Sequence, residues 1–129
     1  MKLLALKAAI FGVVLAVALV FVLSVSGPYE DGLDAYHSGD YATALRLWRP
    51  LAEQGNADAQ FALGFMLERG QGVPRDRVQA HMLYSLVASS LPPGEDHDTA
   101  VKHRDAVASQ MTPAQIAEAQ KLARDWGPK

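Results

Sequence analysis

The chain has 129 residues, 12 Lys+Arg against 14 Asp+Glu, and no cysteine. Without thiols it makes no disulfide, cysteine nucleophile, cysteine-based zinc site or lipidated cysteine. Its slight acidic excess lacks the basic face that nucleic-acid partners require.

Residues 3–25 are almost wholly apolar, broken only by Lys7 and Ser24, and Lys2 and Lys7 are the only basic residues before Arg46. That layout is an export signal. The apolar run Ala8–Val25 has 18 residues. As a helix at about 1.5 Å per residue it spans about 27 Å, near a hydrocarbon core of about 30 Å. The run exceeds the usual signal-peptide length of roughly 7–15 residues, which favours a retained anchor. Ser24 and Ser26 are small and two apart, which suits cleavage after Ser26. Residues 1–26 are therefore expected to be a signal peptide or a signal anchor. In both cases the lysines stay cytoplasmic and the acidic "YEDG" flank crosses. The expected location is the inner membrane with the domain facing the periplasm, or the periplasm after cleavage.

Residues 27–129 form an ordinary soluble mixture, long enough for one domain with its own core. Setting aside Lys2 and Lys7 leaves 10 basic against 14 acidic residues, a net of about −4. An internal repeat runs through this part. Asp40, Ala44, Leu47, Trp48, Leu51 and Ala52 recur as Asp76, Ala80, Leu83, Tyr84, Val87 and Ala88, each 36 residues on. The apolar positions fall three or four apart, one face of a helix. A period in the mid-thirties built from helices points to a solenoid of helix pairs.

Between the repeated segments, "NADAQFALGFMLERG" reads as a helix with Asn56 as N-cap and Gly70 as its stop. Its alanines and Gly64 leave room for a neighbouring helix. Pro50 falls inside the preceding helix, where a kink is expected because the apolar pattern continues through Leu51 and Ala52. The glycines of "ERGQGVPRDRVQAH" are not a phosphate loop. No strand precedes them, and the loop ends in Pro-Arg-Asp instead of Gly-Lys-Ser or Gly-Lys-Thr. Gly70 and Gly72 allow a turn, Pro74 stops the first helix, and Asp76 with Gln79 is expected to cap the next in a capping box.

The stretch "AEQGNADAQFALGFMLERGQGVPRDRVQAHMLYSLVA" resembles a repeat of the Sel-one-like family, relatives of the tetratricopeptide repeats. Ala52, Gly55, Ala57, Ala59-Gln60, Leu63-Gly64, Gly70, Gly72-Val73, Asp76 and Ala80 carry the resemblance. Leu67 and Leu83 stand where tyrosine and tryptophan are usual, and both remain apolar. The resemblance covers residues 40–90, most clearly 52–90. It implies right-handed stacked helix pairs that assemble protein complexes, usually without catalysis.

Capping helices are expected over 97–126. "LPPGEDHD" reads as a rigid acidic connector. Val101, Ala108 and Met111 are expected to form one apolar stripe, and Ile116, Ala119, Ala123 and Trp126 another, with Thr112 and Gln115 as a capping box. The expected fold is thus an all-α right-handed superhelix of about three antiparallel helix pairs after a transmembrane or signal helix.

Candidate chemistry is sparse. Glu95, Asp96, His97 and Asp98 have metal-ligand types but read more simply as a solvated connector. His81 and His103 read as partly exposed structural histidines, and no serine or threonine sits in a nucleophile context. No catalytic, cofactor or metal site is assigned. Trp48 and Tyr84 occupy equivalent repeat positions and read first as inter-repeat packing. Their binding reading is aromatic rungs in a peptide groove, with Arg49 and Arg77 beside them. Arg46, Arg49, Arg75 and Arg77 could also form a basic strip, against a default of solvated charges.

The expected function is a non-catalytic envelope scaffold that binds a protein or peptide, with the membrane met only through the N-terminal helix. The competing class is a small periplasmic hydrolase or metal-binding protein using residues 95–98.

Overall fold

The computed structural model describes residues 26–127. Its regular structure is six helices: α1 (Pro28–His37), α2 (Tyr41–Glu53), α3 (Ala57–Arg69), α4 (Arg77–Ser90), α5 (Glu95–Ala108) and α6 (Pro113–Asp125). Among the described residues there is no strand, and no helix is long and apolar enough to cross a membrane. The signal or anchor helix expected over 1–26 lies outside the described residues, save Ser26.

The helix starts follow from local chemistry. Asp40, Asn56 and Asp76 each accept a hydrogen bond from the backbone N–H three residues on, at Thr43, Ala59 and Gln79. Each satisfies a donor that has no partner inside its helix. Thr112 and Gln115 close the full reciprocal box. At Asp76 only half of the expected box forms, because Gln79 makes no return bond through its side chain. α2 runs unbroken through Pro50 to Glu53.

Both glycines of the α3–α4 turn take left-handed backbone, at φ 69° for Gly70 and 71° for Gly72. A methyl group on Gly72 would lie 2.7 Å from the Cβ of Tyr41, so glycine is needed there for space as well.

Packing runs in chain order, α1 on α2, α2 on α3, α3 on α4 and α4 on α5. The last step departs from the expected third pair. α6 packs on α4 instead of pairing with α5. The reason lies in α5, whose two buried residues, Ala100 and Val107, both face α4. Val101 and Met111 of the expected stripe are half-buried and pack against the same two clusters, so the apolar side of α5 is directed at α4. α6 buries Ala119, and Ala123 and Trp126 pack on the α2–α3–α4 core.

One device appears twice in the interior. The indole of Trp48 on α2 lies against Gly32 of α1, where an added Cβ would be 2.2 Å from Nε1. The ring of Tyr84 on α4 lies against Gly64 of α3, where an added Cβ would be 3.0 Å away. Each glycine opens a slot for a large ring from the following helix. Such a ring removes about 150–250 Å² from water, on the order of 4–6 kcal/mol before entropy. Exposed ion pairs contribute about 1 kcal/mol at most, so the ring slots set the helix spacing.

Candidate functional site

The structure buries both Trp48 and Tyr84. Trp48 is 2% exposed and Tyr84 0%. The Trp48 Nε1 donates to the backbone carbonyl of Tyr29 at 3.1 Å. The Tyr84 hydroxyl donates to Glu68 Oε2 at 2.6 Å. Both rings hold helices together, which is the packing reading, and they sit in separate core clusters. Arg77 is half-buried and donates through Nε to Gln110 at 3.1 Å. Arg49 is exposed on α2 beside a cavity of about 340 Å³ that Trp126 also lines. The four residues do not converge on one surface.

A different set of side chains does converge. α1 contributes Tyr29, Leu33 and Tyr36, and α3 contributes Phe61, Ala62 and Phe65, to an open, almost wholly apolar groove of about 220 Å³. Trp48 reaches it only as the floor. The Tyr36 ring stacks at 6.0 Å from Trp48 and at 5.3 Å from Tyr41. Its hydroxyl donates to Gln71 at 3.0 Å, which fixes α1 against the α3–α4 turn. The spacings 29, 33, 36 and 61, 65 were visible in the sequence as apolar stripes. Gly32 and Gly64 lie on the same helical faces as these residues, so nothing local separates the groove from the core.

A polar cluster packs against the groove's Phe61 and Phe65. His103 of α5 sits 5.1 Å from the Phe61 ring, 6.2 Å from Phe65 and 5.4 Å from Tyr84. Its Nδ1 is 3.8 Å from Glu68 Oε2, the oxygen that Tyr84 holds. Burial first, then the hydrogen bond and charge of Glu68, push the Tyr84 hydroxyl well above its ordinary pKa. Tyr84 thus stays a protonated donor at physiological pH. The arrangement orients groups but offers no nucleophile.

His81 is fully interior at 4% exposure, against the expectation of partial exposure. Burial pushes it below its ordinary pKa, Arg104 adds to that, and Asp105 opposes it. The repeat offset pairs His81 with buried Leu45, which is the signal that marks it as interior.

Residues 95–98 are the first turn of α5, not a connector. Glu95, Asp96 and Asp98 complement the helix N-terminus there. His97 Nδ1 lies 3.2 Å from Asp98 Oδ1. Among the described residues no three His, Asp or Glu side chains gather where they could hold a metal ion.

Comparison with known proteins agrees with the architecture. The Sel1 repeat model matches residues 25–56 and 57–90. The chain is 33% identical over 75 residues to an exopolysaccharide production negative regulator of Rhizobium leguminosarum bv. viciae, covering 55% of this chain and 28% of that protein. A protein of the same description from Rhizobium meliloti (strain 1021) is 33% identical over 79 residues, covering 58% and 30%. The DAP3-binding cell death enhancer 1 of Rattus norvegicus is 36% identical over 62 residues, covering 47% and 12%. The chain therefore spans less than a third of the length of these relatives. No solved structure matches it. Two matched repeats covering half of the sequence make the chain a member of the Sel1 repeat family.

Proposed function

We propose that this chain is a non-catalytic adaptor that binds another protein through the groove between α1 and α3. The observation that carries this is the groove itself. Five large apolar side chains on two helices, Tyr29, Leu33, Tyr36, Phe61 and Phe65, stay half-exposed along it. Soluble surfaces rarely gather apolar groups this way unless a partner covers them. Sel1 repeats mediate protein–protein interaction in general. The rat relative is named for binding a protein, and the rhizobial relatives for regulation. On this reading the helix pairs stack with the right-handed sense implied by the family resemblance. Residues 1–26 place the module at the envelope, as an anchor or as a removed signal.

The test is site-specific photo-crosslinking in the full-length protein, with the reactive residue at Phe65 in the groove or at exposed Glu118 on α6. A discrete adduct to a second polypeptide from position 65, absent from position 118, supports the groove. Equal labelling from both positions, or none from 65, removes it.

A further inference from the structure

The groove has a neighbour. A smaller cavity of about 150 Å³ is lined by Tyr29, Asp58, Phe61, Asp96 and Thr99, together with apolar residues at the end of α4. Tyr29 and Phe61 line both cavities, so the two adjoin across these rings as a trough. Two aromatic rings and two carboxylates thus share one end of it. Glu30 adds a third charge, since Asp58 and Glu30 both act, after burial, to raise the Tyr29 phenol.

No cation answers these acids. Among the described residues the ion pairs are His97–Asp98, His103–Glu68, Arg104–Asp105 and Lys121–Asp125. Glu30, Asp58 and Asp96 belong to none. Each is also a first-turn acid, on α1, α3 and α5, and complements a helix start. That accounts for acids at three helix starts, but not for a trough between them walled by the Tyr29 and Phe61 rings. The far end has the opposite character. The Arg69 guanidinium lies 4.2 Å over the Phe65 ring, and His103 packs beside it.

We infer that the trough receives a segment of a partner protein in which a lysine or arginine adjoins apolar side chains. The cation enters between Tyr29 and Phe61 and meets Asp58 and Asp96. The apolar side chains lie along Leu33, Tyr36 and Phe65. Aromatic faces and carboxylates both attract an organic cation, and an acidic segment is repelled at the same place. The charge asymmetry also sets direction, with the basic residue at the N-terminal ends of α3 and α5. This inference rests on the groove reading above and adds the chemistry of what fills it.

The test uses the full-length chain in detergent and fluorescent peptides that share one Leu-Phe-Leu core and differ at one flanking residue: Lys, Arg, Gln or Glu. Binding is read by fluorescence anisotropy. The Lys and Arg peptides are expected to bind about tenfold tighter than the Gln peptide, and the Glu peptide weakest. Asp58→Asn with Asp96→Asn abolishes that ranking and leaves the Gln peptide unchanged, with helicity retained by circular dichroism. If the four peptides bind equally, and Phe65→Ala weakens all of them, the cation site is overturned and the groove stands. If Phe65→Ala changes no peptide's binding, the groove reading falls and the inference with it.

Discussion

The two ring slots have the same shape and different chemistry. In the first, Trp48 lies on Gly32 and its N–H ends on a neutral backbone carbonyl of α1. In the second, Tyr84 lies on Gly64 and its hydroxyl ends on a carboxylate that also faces His103. The first slot therefore ends in a neutral bond, and its ring also floors the groove. The second also holds Glu68, which lies 3.8 Å from His103. Repetition carried the steric device from one helix pair to the next, and the polar end of the ring diverged with local need.

The sharpest way to break this comparison is to fill the slots. Gly32→Ala puts a methyl 2.2 Å from a rigid indole, which cannot yield by a small rotation. Overpacking of that kind costs roughly 1–3 kcal/mol, and the upper end is expected here. Gly64→Ala meets the Tyr84 ring at 3.0–3.3 Å, a clash relieved by a few tenths of an ångström. Alanine's helix propensity returns about 1 kcal/mol at both sites. Thermal melts should show a large loss for Gly32→Ala and little change for Gly64→Ala. Equal losses would mean that slot tightness does not differ between the repeats.

The polar ends give a smaller effect. Tyr84→Phe keeps the ring in its slot and removes the donor to Glu68. Bonds to charged acceptors contribute about 1.5–3 kcal/mol, and partial exposure of Glu68 puts the expected loss near the lower figure. A double-mutant cycle with Glu68→Gln isolates the coupling. Denaturant titration should show that Tyr84→Phe costs much less once Glu68 is neutral. Additive losses would deny that the carboxylate is what the hydroxyl serves.

The sequence showed six helices, the caps at Asp40, Asn56 and Asp76, and the structural turn at Gly70 and Gly72. These depend on neighbours within a few residues, where spacing and side-chain type suffice. Choosing between packing and a partner surface for Trp48 and Tyr84 was beyond the sequence, because exposure is a property of three dimensions; both are buried. An aromatic on an amphipathic helix gives the same signal whether it faces a groove or a glycine slot. Gly32 was the missing clue, since a glycine inside a helix marks a close approach. The third helix pair failed for a related reason. The stripes on α5 and α6 are short and do not name the helix they pack on; in the structure Ala100 and Val107, with Val101 and Met111, all pack in clusters built on α4.

His81 tests the repeat logic at its weakest expected effect. Its folded pKa lies below the ordinary 6.5, because burial disfavours the charged ring. As pH falls, the unfolded chain takes up this proton before the folded chain does. The stability contributed by the neutral ring is therefore complete above about 6.5. It is lost progressively as pH falls from there toward the lowered folded value, and no further below both. Arg104 beside it strengthens the trend and Asp105 weakens it. His81→Leu installs the residue type found at the equivalent buried position, Leu45, and removes the titration. Urea unfolding at pH 7.5 and pH 5.5 should show a stability drop for the wild type that is smaller in the variant. An equal drop in both proteins would mean that His81 is not buried neutral and that the offset linking it to Leu45 does not hold for the core.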